Sequence, residues 1–234
     1  MYLFILILAL VLSAGVVYVV YKYPHLKSIF QPIYVILILG LSVLLVINIR
    51  KPIKFNKKRQ KIENATIERL KDIRTAQVAY KDKFGQFTGS FDTLISFIKN
   101  DSFDLKRIVR VKPWDQDVVS KEDALKQGIL KESIIKKSVR DSLFPDENYP
   151  VDRLRFIPFT KNSPITMAAG EVMTGSQVKV KVFEAYALYD SMFKGMNKQQ
   201  IINYKDERYK ITNFNGDKVG SLTEATNNAG NWEK

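Results

Sequence analysis

The chain has 234 residues, of which 37 are lysine or arginine, 24 aspartate or glutamate and one histidine, giving a formal charge of +13. It has no cysteine, which excludes disulfide staples, zinc–thiolate sites and cysteine nucleophiles. The lone histidine, His25, sits between two apolar stretches, so a histidine-based triad in the polar part of the chain is excluded as well.

The first element is Tyr2 to Tyr21, twenty residues without a charge. At 1.5 Å per residue such a helix covers a hydrocarbon core of about 30 Å. A cleaved signal peptide is the alternative reading, but the leading end carries no lysine or arginine and no small-x-small site follows, so a retained span is expected. The second apolar stretch, Ile29 to Ile49, is equally long, with Pro32 near its start where a missing amide hydrogen costs least. Residues 1–50 are therefore expected to form a transmembrane helical hairpin, with Lys22 to Ser28 as its linker.

A basic collar follows over residues 51–61. From Arg50 to Lys61 there are seven basic side chains (Arg50, Lys51, Lys54, Lys57, Lys58, Arg59 and Lys61) and no acid. From Ile62 onward 28 basic residues face 24 acidic ones, a surplus of only four. The high isoelectric point thus reports attraction to anionic lipid headgroups, about 1 kcal/mol per basic residue near the surface, before it reports nucleic acid. Counting positive charges around the second helix would place the polar domain in the cytoplasm. The first helix argues the reverse, because its leading end is uncharged and its trailing end carries Lys22 and Lys27.

Residues 62–234 are expected to hold a stalk helix and a soluble α+β domain. From Asn56 to Phe84, Ile62, Ala65, Leu70, Ile73, Ala76, Tyr80 and Phe84 fall on one helical face, while Glu63, Glu68, Lys71, Asp72, Arg74 and Lys81 decorate the rest. Pro52 is expected to bend or break any continuation from the second membrane helix. Gly85 reads as a left-handed terminator followed by the apolar contact of Phe87, and Ser90 as the cap of a second helix with Phe91, Leu94, Ile95 and Ile98 on its apolar face.

Beyond Asn100 the pattern weakens. KPWDQD reads as a turn, EDALKQGIL as a short helix with Gly128 near its end, and SVRDSLFPDENYP as a loop. Arg153 to Ile157 and Gln177 to Val182 alternate in the manner of strands, and Met173 to Ser176 reads as the turn of a hairpin whose first strand ends near Val172. Helices followed by strands make a small antiparallel-sheet domain of the α+β class. The closing GSLTEATNNAGNWEK, rich in small polar residues, is expected to pack loosely apart from Trp232.

No pattern carries catalysis. Asp115 with Asp117 and Asp146 with Glu147 lie in turns without a neighbouring nucleophile or base, PWDQD lacks the glycine and distal glutamate of a calcium loop, and no phosphate-binding, dinucleotide or zincin motif is present. The sequence predicts no enzyme, cofactor or metal. Phe183, Tyr186, Tyr189 and Phe193 follow a basic strand as base-stacking residues would, but at that spacing core packing is the stronger reading.

The series LKDIRTAQVAYKDKFGQFTGSFDTLISFI is similar to the helix-to-turn signature of type IV pilins and type II secretion pseudopilins. In those families a membrane helix runs on into an amphipathic half and ends at a glycine flanked by aromatics. Here the matching positions are Leu70, Ile73, Arg74, Thr75, Ala76, Tyr80, Phe84, Gly85 and Phe87. The whole chain, including VGSLTEATNNAGNWE, also resembles a family of Bacteroidota membrane proteins with a KPIKF-like collar, usually with one membrane helix. That resemblance implies a periplasmic C-terminal domain, which decides the topology conflict outward. The chain has an added hydrophobic segment and lacks the Gly-Phe-Thr-x-x-Glu processing motif of prepilins.

The resemblance implies a structural subunit of an envelope secretion or pilus-like machine, either pseudopilin-like or an assembly-platform component in the inner membrane. Its partners would be membrane lipids, other machine subunits and further copies of itself. Ile73, Arg74, Tyr80, Phe84, Gly85 and Phe87 would form the interaction surface. The alternative is a membrane-anchored adaptor that binds lipid headgroups or nucleic acid through the basic collar.

Overall fold

The computed structural model describes residues 2–24, 27–115 and 118–233. His25 and Asp117 lie outside the described residues. The chain divides into two compact units, Met1–Lys57 and Lys58–Lys234.

The first unit contains helix α1 (Tyr2–Lys22) and the beginning of helix α2 (Lys27–Phe84). The apolar part of α2, within Gln31–Phe84, is long and apolar enough to cross a membrane. Its leucine, isoleucine and valine side chains lie exposed from Ile33 to Ile49. The hydroxyl of Ser42 donates to the carbonyl of Ile38 at 2.8 Å, so this hydroxyl is satisfied within the helix.

The expected break at Pro52 does not occur, since α2 is continuous through both Pro32 and Pro52. A proline removes one ladder hydrogen bond and crowds the preceding turn, but the bonds on either side remain and carry the helix onward. Gly85 terminates it as predicted, at φ 71, with its amide donating to Lys81 at 2.7 Å. A left-handed residue here lets the chain reverse at little cost only because glycine has no Cβ.

In the second unit the buried face of α2 is wider than hydropathy suggested. Leu70, Ile73 and Ala76 are fully buried and Ile62 nearly so, but Ala65 and Tyr80 are half-buried and Phe84 is exposed. Polar residues take up the difference, for Glu63, Thr66 and Gln77 are buried. Helix α3 (Phe91–Asn100) starts at Ser90, whose side chain caps the amide of Thr93. It buries Leu94, Ile95, Phe97 and Ile98.

Strand β1 (Ser102–Arg110) and strand β2 (Leu130–Ser138) pair antiparallel in a two-stranded ribbon that sequence patterning missed. The short helix α4 (Lys121–Lys126) lies between them, capped by Ser120, with Gly128 at φ 69 just beyond it. The expected loop after Ser138 opens with a turn of helix, α5 (Val139–Leu143). The expected strand at Arg153 is a 3-10 helix over Val151–Arg155, which buries Val151 and Leu154. With Pro150 just ahead and Pro158 just behind, three alternating residues are too few to extend into a ladder.

A three-stranded antiparallel sheet follows in the order β3 (Thr166–Met173), β4 (Lys179–Leu188) and β5 (Gly216–Gly220). The β3–β4 hairpin forms as predicted, but its turn runs through Thr174 to Val178 instead of Met173 to Ser176, with Gln177 at φ 60 inside the turn and the second strand starting at Lys179 instead of Gln177. Helices α6 (Tyr189–Met192) and α7 (Lys198–Thr212) connect β4 to β5. The tail does not pack loosely. Gly230 bridges Val219, and the buried Asn231 side chain accepts from the Lys218 amide at 3.0 Å and donates to the Gly216 carbonyl at 2.9 Å.

Candidate functional site

The densest constellation of charge and aromatic hydroxyl in the second unit is assembled by four elements that sequence patterning did not connect. Helix α2 contributes Arg59 and Glu63, α6 its first residue Tyr189, α7 Tyr204 and Arg208, and β5 Asp217. Glu63 was assigned to the solvated face of the stalk; instead its carboxylate is buried. It accepts from the Arg59 guanidinium on one oxygen and from the Tyr204 hydroxyl on the other. The guanidinium also lies over the Tyr204 ring, 4.3 Å from its centre.

A second chain of hydrogen bonds runs alongside. Arg208 Nε donates to the Tyr189 hydroxyl at 3.3 Å, and that hydroxyl donates to Asp217 Oδ1 at 3.1 Å. Asp217 and Tyr189 are both fully buried. The second oxygen of Asp217 and the Nε of Arg59 are buried without a hydrogen-bond partner. A carboxylate half-satisfied in this way is costly to ionise. Burial first, and the nearby Glu63 carboxylate second, push Asp217 up to about 7, against the pull of Tyr189, Arg208 and Arg59. Burial likewise raises the Tyr189 and Tyr204 hydroxyls, which remain hydrogen-bond donors at neutral pH.

The rings pack as well as bond. Tyr189 stacks on Phe193 with centres 5.7 Å apart, and Tyr204 meets Tyr189 edge-on at 5.1 Å. Phe183, Tyr189 and Phe193 are wholly buried and Tyr186 is half-buried, so the aromatic series after the basic strand is core. The arrangement fastens α2 to α7 and β5 and holds a proton near neutrality. Among the described residues, no group of three or more histidine, cysteine, aspartate or glutamate side chains is placed to hold a metal ion.

The residues singled out at the helix-to-turn signature fall into two groups. Tyr80, Phe84 and Phe97 form an aromatic cluster with centres 4.6 to 5.8 Å apart. On the other side of the turn Phe87 packs on Phe183 at 4.9 Å. Ile73 is core, and Arg74 holds the tail through Glu233 at 2.8 Å. Sequence reasoning missed Gln77. Its buried amide donates to the Thr88 carbonyl at 2.5 Å and accepts from the Thr88 amide at 3.1 Å, pinning the chain as it leaves the turn.

The collar is also divided. Arg50, Lys51, Lys54, Lys57 and Lys58 are exposed, whereas Arg59 is turned onto Glu63 with 19% of its side chain exposed. The Lys61 ammonium lies 4.5 Å from the centre of the Phe159 ring. Arg59 thus serves the domain interior instead of the lipid-facing collar. Comparison with family models, curated proteins and solved structures finds no match to this chain.

Proposed function

We propose that this protein is a non-enzymatic, membrane-anchored structural subunit, pseudopilin-like or of the assembly-platform kind, in an envelope secretion or pilus-like machine. The observation that carries the reading is the double use of α2. One helix holds an apolar segment of membrane length and also supplies Leu70, Ile73 and Ala76 to the core of the soluble unit. A helix shared in this way tethers a domain to an anchor, which suits scaffolding. The buried cluster of Glu63, Tyr204, Tyr189 and Asp217 fits the same role, because its groups bind α2 to the sheet and to α7. In this reading α1 pairs with the apolar part of α2 as a hairpin, and the C-terminal domain faces the periplasm.

The test uses the absence of cysteine. Single cysteines at Val78 and Phe84, the exposed apolar positions near the end of α2, are cross-linked in intact membranes at native expression. A reporter fused after Lys234 reads the side of the membrane. Cross-linked oligomers or heteromers, with an outward-facing reporter, are expected. Monomer alone at both positions would overturn the assembly role, and a cytoplasmic reporter would overturn the periplasmic placement.

A further inference from the structure

The β1–β2 ribbon is built from residues that a solvated hairpin does not need. From Asp104 to Arg110 and from Lys131 to Lys137 every residue is exposed, on both faces of the ribbon. Yet Leu105, Ile108, Val109, Ile134 and Ile135 are among them, each 38 to 64% exposed. Among the described residues no third strand joins the ribbon, and an isolated two-stranded ribbon gains little from such side chains. At its base Phe103 meets Phe97 of α3, with centres 6.3 Å apart, and at its far end Ala124 of α4 and Leu130 are buried. The ribbon is held at both ends and bare between them.

Register sorts its charges. Leu105, Arg107 and Val109 stand opposite Ile135, Ser133 and Lys131, and Phe103 stands opposite Lys137, so these residues share one face. That face has three basic residues and no acid. Both carboxylates of the ribbon, Asp104 and Glu132, are on the other face, where Glu132 pairs with Lys106 at 3.0 Å. That second face, with Lys106, Arg110 and Lys136 against two acids, keeps a net charge of +1, whereas the first interleaves aliphatic side chains with an uncompensated +3.

We infer that the face formed by Leu105, Arg107, Val109, Lys131, Ile135 and Lys137 docks on an anionic phospholipid surface. Aliphatic side chains enter the acyl boundary while the flanking lysines and arginine meet phosphate, a division of labour that needs both residue types on one surface. A second copy of the ribbon would bring like charge against like charge. Single-stranded nucleic acid would need exposed rings for stacking, and the exposed stretch of this face, Leu105 to Val109 and Lys131 to Lys137, has no aromatic side chain. The inference rests on the membrane anchoring proposed above, which tethers the chain to a bilayer.

The experiment uses the full-length chain reconstituted in vesicles of phosphatidylcholine alone or mixed with phosphatidylglycerol. An environment-sensitive fluorophore is placed on a single cysteine at Val109 or, on the opposite face, at Ile108. Expected is a blue-shifted Val109 probe, protected from aqueous quencher only when phosphatidylglycerol is present, with the Ile108 probe remaining accessible. Lys131→Gln should lower the protected-to-accessible ratio about fivefold, the share of one basic residue near an anionic surface. Equal accessibility of the Val109 probe in both vesicle types overturns the inference. So does protection that appears only on adding soluble proteins from a membrane extract, which would make the occupant a protein. Flotation with neutral vesicles after carbonate washing reads the anchor separately. A chain that floats while its Val109 probe stays accessible refutes the ribbon contact and leaves the anchor intact. A chain that fails to float but is protected on anionic vesicles refutes the anchor and supports the ribbon contact.

Discussion

Replacing Asp217 by asparagine should flatten the pH dependence of stability. In the folded protein Asp217 holds its proton up to about 7, against 3.8 ordinarily, because burial and then the Glu63 charge disfavour its ionised form. The folded state therefore binds this proton more tightly than the unfolded chain does. The contribution of this group to stability is greatest below about pH 4, falls as pH rises through the window between about 4 and 7, and levels off above it. Each pH step of one is worth about 1.4 kcal/mol, so the full window amounts to about 4 kcal/mol. Asparagine keeps an acceptor for the Tyr189 hydroxyl but places an amide nitrogen where Oδ2 lacks a partner, at a constant cost of about 1 to 2 kcal/mol. The variant should thus be less stable than the parent at about pH 4.5 and more stable at about pH 8. Urea unfolding of the full-length protein in detergent, followed by circular dichroism at both pH values, measures the two differences. An unchanged difference between parent and Asp217→Asn at the two pH values would refute the argument that ionisation of this buried group costs folding free energy.

Glu63→Ala removes the anion beneath a mostly buried guanidinium and should cost about 3 to 5 kcal/mol, read as a lowered urea midpoint with an unchanged slope. Ile73→Asp, at a fully buried position, should cost several kcal/mol, whereas Lys81→Asp should cost no more than about 1 kcal/mol, chiefly the contact of its ammonium 4.8 Å from the Phe87 ring centre. Equal thermal shifts for that pair would show that α2 is not packed as described. Gly85→Val should destabilise by about 1 to 3 kcal/mol with no change in membrane insertion, since an added Cβ meets nothing within 4 Å and the strain lies in the backbone alone. A Gly85→Val protein with the parent's melting temperature would remove the left-handed turn from the account.

The elements that the sequence determined by itself are those whose signals are local. Twenty uncharged residues from Tyr2, the period of Leu70, Ile73 and Ala76, the Gly85 terminator, the Ser90 cap and the existence of the β3–β4 hairpin each follow from the conformational preferences of a few neighbouring residues. Their physics needs no distant partner. What tertiary structure alone decided are the pairings between positions far apart in the chain. Glu63 looked solvated because a helical wheel sees only its own helix, and its partner Tyr204 arrives from α7. Asp217 carries no local mark of burial, and Asn231 ties down a tail whose composition suggested freedom. The β1–β2 strands escaped detection because neither ribbon face is buried, which leaves no alternation of apolar and polar residues to read. Burying a charge or an amide is tolerable only when another segment supplies the hydrogen bonds, and that supply is fixed by the fold as a whole.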